Sequence, residues 1–168
     1  MRLIHLIIPC LLIGLIMPVG AFSADNLDFT IQENGDAEIV FDYTLNWIER
    51  FAVFLRIADP NAEFQAALER AYKKPVEVQS VTQGSTIFTI ESLATIDETG
   101  EVIRYTVPAL DFSYAEKILN EYWFAPLVQV DLSPDRTTVT FPDGKIISYY
   151  DVSKIPATSH TIDRVVAP

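Results

Sequence analysis

Few residues in this chain have side chains that could carry out a reaction. Ser159 and His160 are adjacent and Asp163 lies three positions on, so a hydroxyl, an imidazole and a carboxylate are close in sequence. A hydrolytic triad needs those groups to converge from separate elements, with the serine raised on a sharp turn. No G-x-S-x-G elbow is present to do this. His160 is the only histidine besides His5. So near a chain end it reads as a surface residue, and no catalytic residue is expected. Asp131, Asp135 and Asp143 fall within "DLSPDRTTVTFPDG", which lacks the spacing of an EF-hand loop. Beside proline and glycine they read as turn aspartates that accept from backbone N–H groups. Oxygen ligands could still gather calcium in so acidic a chain. No HExxH, cysteine pair or glycine-rich phosphate loop occurs, so neither a metal nor a cofactor is expected. Nothing singles out two of the 23 acids as a glycosidase pair.

Aromatic residues are the more numerous candidates. In "NWIERFAVFLRIADP", at about 100° per residue, Trp47, Ile48, Phe51, Phe54, Leu55 and Ala58 share one helical face, with Glu49 and Arg56 opposite. Tyr122 and Trp123 belong to a second aromatic run, "NEYWFAP". Such stripes have three readings. The leading one is core, with Trp47 and Trp123 filling volume between helices and a sheet. The second is the wall of a cavity for an apolar or lipid-like ligand, which makes Trp47, Phe51, Phe54, Tyr122 and Trp123 the candidate binding residues. The third, a membrane-surface or partner-facing helix, needs a basic polar face that Arg50 and Arg56 alone do not supply.

The elements that must position these residues follow from periodicity. "NLDFTIQENGDAEIVFDYTL" alternates as two strands. A three-residue loop Glu33-Asn34-Gly35 pairs Ile31 with Ala37, Phe29 with Ile39 and Leu27 with Phe41, and gives Gly35 the left-handed position. A two-residue Asn34-Gly35 turn would mix the faces. After the Trp47 helix, Asp59 as N-cap, Pro60 at the first helical position and Glu63 open a second helix with Phe64, Ala67, Leu68 and Ala71 on its apolar face. "VEVQSVT", "STIFTIESLA" and "EVIRYTV" read as three strands. Ser113-x-x-Glu116 caps a third helix, with Tyr114, Ile118, Leu119 and Tyr122 on one side. "LVQVDL", "RTTVTF" and "KIISYYD" are three more strands, and the tail from Ile155 is a loop or weak strand. The order ββ-αα-βββ-α-βββ predicts an α+β fold, a mainly antiparallel sheet with about three amphipathic helices packed on one face. No βαβ alternation suggests a nucleotide-binding doubly wound sheet.

The chain has 168 residues, enough for one domain with a real core. Arg2, an uncharged apolar run, Pro18 and small residues follow the layout of a secretory signal peptide. Residues 1–24 are the expected leader and 25–168 the expected single domain. Ala21 with Ser23, or Val19 with Ala21, supplies a small-residue cleavage pair. The uncharged stretch 3–22 is also about long enough to anchor the chain in a bilayer if it is retained. The protein is therefore expected to be secreted or extracytoplasmic, touching membrane only through that segment. Loss of Arg2 leaves 11 basic against 23 acidic residues, a net charge of −12, which disfavours nucleic acid as a partner. Cys10, the only cysteine, leaves with the leader, so packing alone must hold the mature fold.

"IQENGDAEIVFDY", "FAVFLRIADP", "EYWFAP" and "VTFPDGKI" together resemble a group of exported microbial proteins, of archaeal character and unassigned function, built as a leader plus one α+β domain. The resemblance spans residues 26–162 and implies an extracytoplasmic setting without implying an activity. The function expected first is a non-catalytic extracytoplasmic or cell-surface module acting through an unknown protein or envelope partner. A carrier of an apolar or lipid-like ligand in a helix-covered cavity and a secreted hydrolase are the alternatives.

Overall fold

The computed structural model describes residues 21–45, 60–82, 84–114, 117, 129–131 and 133–164. Two long strands, β1 (Ala21–Ile31) and β2 (Ala37–Leu45), form the first hairpin. They pair antiparallel with Ile31 opposite Ala37, Phe29 opposite Ile39 and Leu27 opposite Phe41, the register expected for a three-residue loop. Gly35 takes φ +87° and its N–H donates to the Gln32 carbonyl (3.0 Å). Helix α1 (Pro60–Tyr72) starts at its proline, whose fixed φ and missing N–H suit the first helical position. Lys73 ends it in the left-handed conformation (φ 55°), two residues before Pro75. Strands β3 (Val76–Val81) and β4 (Ser85–Ile90) follow, then β5 (Thr95–Thr99), β6 (Val102–Val107) and the short β7 (Leu110–Asp111). The chain continues through β8 (Gln129–Asp131), β9 (Arg136–Thr140), β10 (Ile146–Tyr150), β11 (Lys154–Ile155) and β12 (Thr158–Asp163).

Three sheets result. The largest has seven strands in the order β10-β9-β1-β2-β4-β3, with β8 also pairing to β1. β8 and β9 both run parallel to β1 and meet it in succession, at 21–23 and then at 26–30. Buried Pro134 lies between them, and the Asp135 N–H donates to the Ala24 carbonyl (3.2 Å). The second sheet is β12-β6-β5, and β11 pairs with β7 in the third.

One face of the large sheet is apolar: Leu27, Phe29 and Ile31 of β1, Ala37 and Ile39 of β2, Phe88 and Ile90 of β4, and Val139 of β9 are buried together. Tyr105 and Val107 of β6, Leu110 and Ile155 close over this cluster, and Leu68 and Tyr72 of α1 pack against it. Burying a side chain such as Phe29 or Ile39 stabilises by about 1.5–3 kcal/mol each relative to leaving it in water. The core is therefore a layer between sheets with one helix beside it.

This corrects the expected α+β class. Among the described residues 57% are strand and 11% helical, with one short helix and several sheets in place of about three helices on a single sheet. The strand expected to run on to Ala94 ends at Ile90, where Ser92 at φ 48° turns the chain, and Thr95–Thr99, left between two expected strands, is a separate strand. Of the tail expected as a loop or weak strand, Thr158–Asp163 pairs with β6. Both segments are polar on one face and carry few large apolar residues, so their alternation is faint until a partner strand is present. The expected Trp47 helix lies outside the described residues. Of the Ser113 helix only Ser113, Tyr114 and Lys117 are described, with helical backbone. Asp111 Oδ1 accepts from the Ser113 N–H (3.1 Å), so the carboxylate that serves this helix start lies two residues before the expected cap.

Candidate functional site

Alternation along β12 decides what Ser159, His160 and Asp163 can do. Thr158, His160 and Ile162 share the face towards the large sheet, while Ser159, Thr161 and Asp163 share the opposite face. The Ser159 hydroxyl bonds to Thr106 Oγ1 (2.9 Å) on β6, away from the imidazole. Neighbouring residues of a strand cannot aim at one point, so these three do not form a triad.

His160 instead reaches across to the β9–β10 hairpin. Its Nε2 is 2.8 Å from Asp143 Oδ2, and its ring sits 5.1 Å from Phe141 at 52°. Phe141 is buried, whereas the His160 and Asp143 side chains keep 23% and 34% exposure. The hairpin that offers Asp143 has a three-residue loop of Pro142, Asp143 and Gly144. Phe141 N–H donates to the Lys145 carbonyl (2.9 Å), Gly144 N–H donates back to Phe141 (2.8 Å), and Gly144 has φ +83°. Asp143 Oδ1 accepts from the Lys145 N–H (3.1 Å), the turn role expected of it. The His160 bond, and then the Lys145 N–H, hold the Asp143 carboxyl below its ordinary pKa. Two further links join the layers: Tyr149 and Thr158 hydroxyls at 2.6 Å, and Tyr105 Oη donating to the Glu33 carbonyl (3.3 Å). His160 thus adds to these polar ties around the edge of the apolar layer.

The acids of the "DLSPDRTTVTFPDG" segment do not gather. Asp135 precedes β9 and Asp143 follows it, and five strand residues separate them by at least about 15 Å. Asp131 is in β8, opposite Ser23. Among the described residues no three His, Cys, Asp or Glu side chains group as a metal site. Trp47, Phe51, Phe54, Tyr122 and Trp123, the candidate ligand-binding residues, lie outside the described residues. Among the described residues no helix is long and apolar enough to cross a membrane. β1 begins at Ala21, inside the segment 1–24 expected as leader, and Ala24 is buried.

Two features were not legible at first from the sequence. β10 ends the large sheet, and its Ile146 and Tyr150 are 56% and 64% exposed. The signal was present in "KIISYYD": apolar side chains stand at both parities, whereas a strand with one buried face needs them only at Ile147 and Tyr149. A pair of ions was also missed, Lys154 Nζ to Asp111 Oδ2 (2.7 Å), which clasps β11 to β7 and, with the Ser113 hydroxyl, lowers the Asp111 pKa. Comparisons with protein-family models, curated proteins and solved structures found no match to this chain.

Proposed function

We propose that the protein is a non-catalytic extracytoplasmic module that works through protein or envelope contacts. The observation that carries this reading is the use made of His160. The one imidazole outside the leader is committed to Asp143 and packed at a tilt against Phe141, tying two layers together. An imidazole held in that way contributes to packing and register, and Ser159 is turned from it. Support for the setting comes from the leader-like N-terminus and from a surface of net charge −12, which keeps an exported domain soluble.

Two measurements on one preparation test this. Protease treatment of intact expressing cells should degrade the chain while cytoplasmic markers survive. An ester, peptide and glycoside hydrolysis panel should return the same background for the wild type and His160→Gln. A turnover that His160→Gln abolishes without unfolding the protein would overturn the non-catalytic reading. Full protection in intact but permeable-walled cells would overturn the location.

A further inference from the structure

The free edge of β10 is built to meet a copy of itself. The Phe141–Lys145 hydrogen bond sets the phase of the β9–β10 ladder. Bonded and non-bonded pairs alternate in an antiparallel ladder, so Val139 with Ile147 and Thr137 with Tyr149 are the bonded pairs. The N–H and C=O groups of Ile146, Ser148 and Tyr150 consequently face away from β9, along the outer edge. Among the described residues no strand pairs with that edge.

Place a second β10 antiparallel to the first with the two-fold axis at Ser148. Ser148 then faces its own copy, and Ile146 faces Tyr150. These are the residues whose backbone groups are free, so six ladder hydrogen bonds form in phase. The outward side chains pair as Ile with Tyr, an aromatic–branched combination that suits adjacent strands. One step out, Lys145 of each copy comes beside Asp151 of the other, where the chain leaves the strand at φ 52° with the Asp151 N–H held by the Asp135 carbonyl (3.0 Å). Both residues are exposed, and among the described residues neither is in an ion pair. Shifting the register by two residues keeps a two-fold axis but separates Lys145 from Asp151 and Ile146 from Tyr150. Residues 146–150 are thus self-complementary in hydrogen-bond phase and apolar contact, with opposite charges just beyond their two ends.

The edges at β3 and β5 are blunted in the usual ways. β3 has a register shift between Val78 and Ser80 and an exposed Glu77. β5 carries Asp97 and Glu98, which would face like charges in a self-pair. β10 has no proline, no bulge and no charge between its ends.

We propose that two copies of this chain associate through β10, joining their large sheets into one continuous sheet about a two-fold axis at Ser148. The pairing is isologous, so it consumes both edges and stops at a dimer. It goes beyond the proposed contact role and does not depend on it, since a dimer of this kind suits a catalytic protein equally.

Sedimentation velocity of the full chain over a concentration series tests the proposal. A monomer–dimer equilibrium is expected. Lys145→Glu and Asp151→Lys should each raise the dimer Kd by about tenfold, because each variant sets like charges together at two symmetry-related places. The double variant exchanges the partners and should return the Kd to within about threefold of the wild type. Ser148→Pro, whose lost N–H faces the edge and not β9, should leave a monomer with an unchanged circular dichroism spectrum. Association through the apolar leader would ignore residues 145 and 151. A wild-type monomer throughout, a dimer indifferent to both charge reversals, a double variant no tighter than the single ones, or oligomers that grow without limit would each overturn the proposal.

Discussion

Gly35 shows how one residue joins two parts of the fold. Its φ of +87° favours glycine, and a Cβ there would lie 2.7 Å from the Ala94 carbonyl oxygen. That closeness comes from docking: Ala94 N–H donates to the Gly35 carbonyl (2.9 Å), and the neighbouring Asp36 accepts from the Ser92 N–H (2.7 Å). Gly144 has nearly the same backbone, φ +83°, with open space where its Cβ would go. Gly144→Ala should therefore cost only the backbone term, about 1 kcal/mol. Gly35→Ala adds a steric one and should cost about 3 kcal/mol. Urea unfolding of the two variants checks the difference. Thr137 offers a contrary case, because its hydroxyl oxygen is fully buried without a partner among the described residues. Thr137→Val keeps the shape and should raise stability by about 1 kcal/mol in the same assay.

Acid sensitivity also belongs to single residues. Asp143 and Asp111 both have folded pKa values below the ordinary aspartate value, owing first to His160 and to Lys154 respectively. A depressed carboxyl stabilises the fold above its unfolded pKa of about 3.9, and that contribution disappears as pH falls through the lower folded value. Stability should therefore decline as pH falls below about 4, and Asp143→Asn should flatten part of that decline. Urea midpoints measured from about pH 5 to about pH 2 would reveal it.

At the scale of elements, β12 acts as the fastener between layers. It pairs with β6 along six residues and sends Thr158 and His160 to β10 and to the β9–β10 turn. Tyr149→Phe removes the 2.6 Å hydroxyl contact while Thr158 keeps its bond to the Pro156 carbonyl. A loss of about 1 kcal/mol is expected by thermal or urea unfolding. β5 has the opposite character: exposed at Thr95 and from Asp97 to Thr99, acidic and paired on one side only. Its amides should exchange with deuterium before those of β1, which has strand neighbours on both sides.

For the whole molecule, the apolar layer between sheets is what resists unfolding. Phe29 lies at its centre, fully buried on the central strand, and Phe29→Ala should destabilise by about 3–5 kcal/mol in urea unfolding. Much of this layer was legible from local spacing. The β1–β2 register, the three-residue loop and the proline start of α1 followed from alternation, glycine and proline alone, because each is settled within a few residues. Charge, cysteine use and the absence of a triad spacing were likewise matters of sequence. What covers the sheet was not legible. β5 and β12 hold their strand form through hydrogen bonds to β6; β12 lies far from it in sequence, and β5, though adjacent, is itself polar and weakly patterned. The same holds for the tie between His160 and Asp143, seventeen residues apart on different layers. Only the tertiary structure decided that the second layer is sheet, and that Ile146 and Tyr150 face water at an edge. Side-chain order along the chain dictates which face a residue takes, while pairing between remote segments dictates what that face meets.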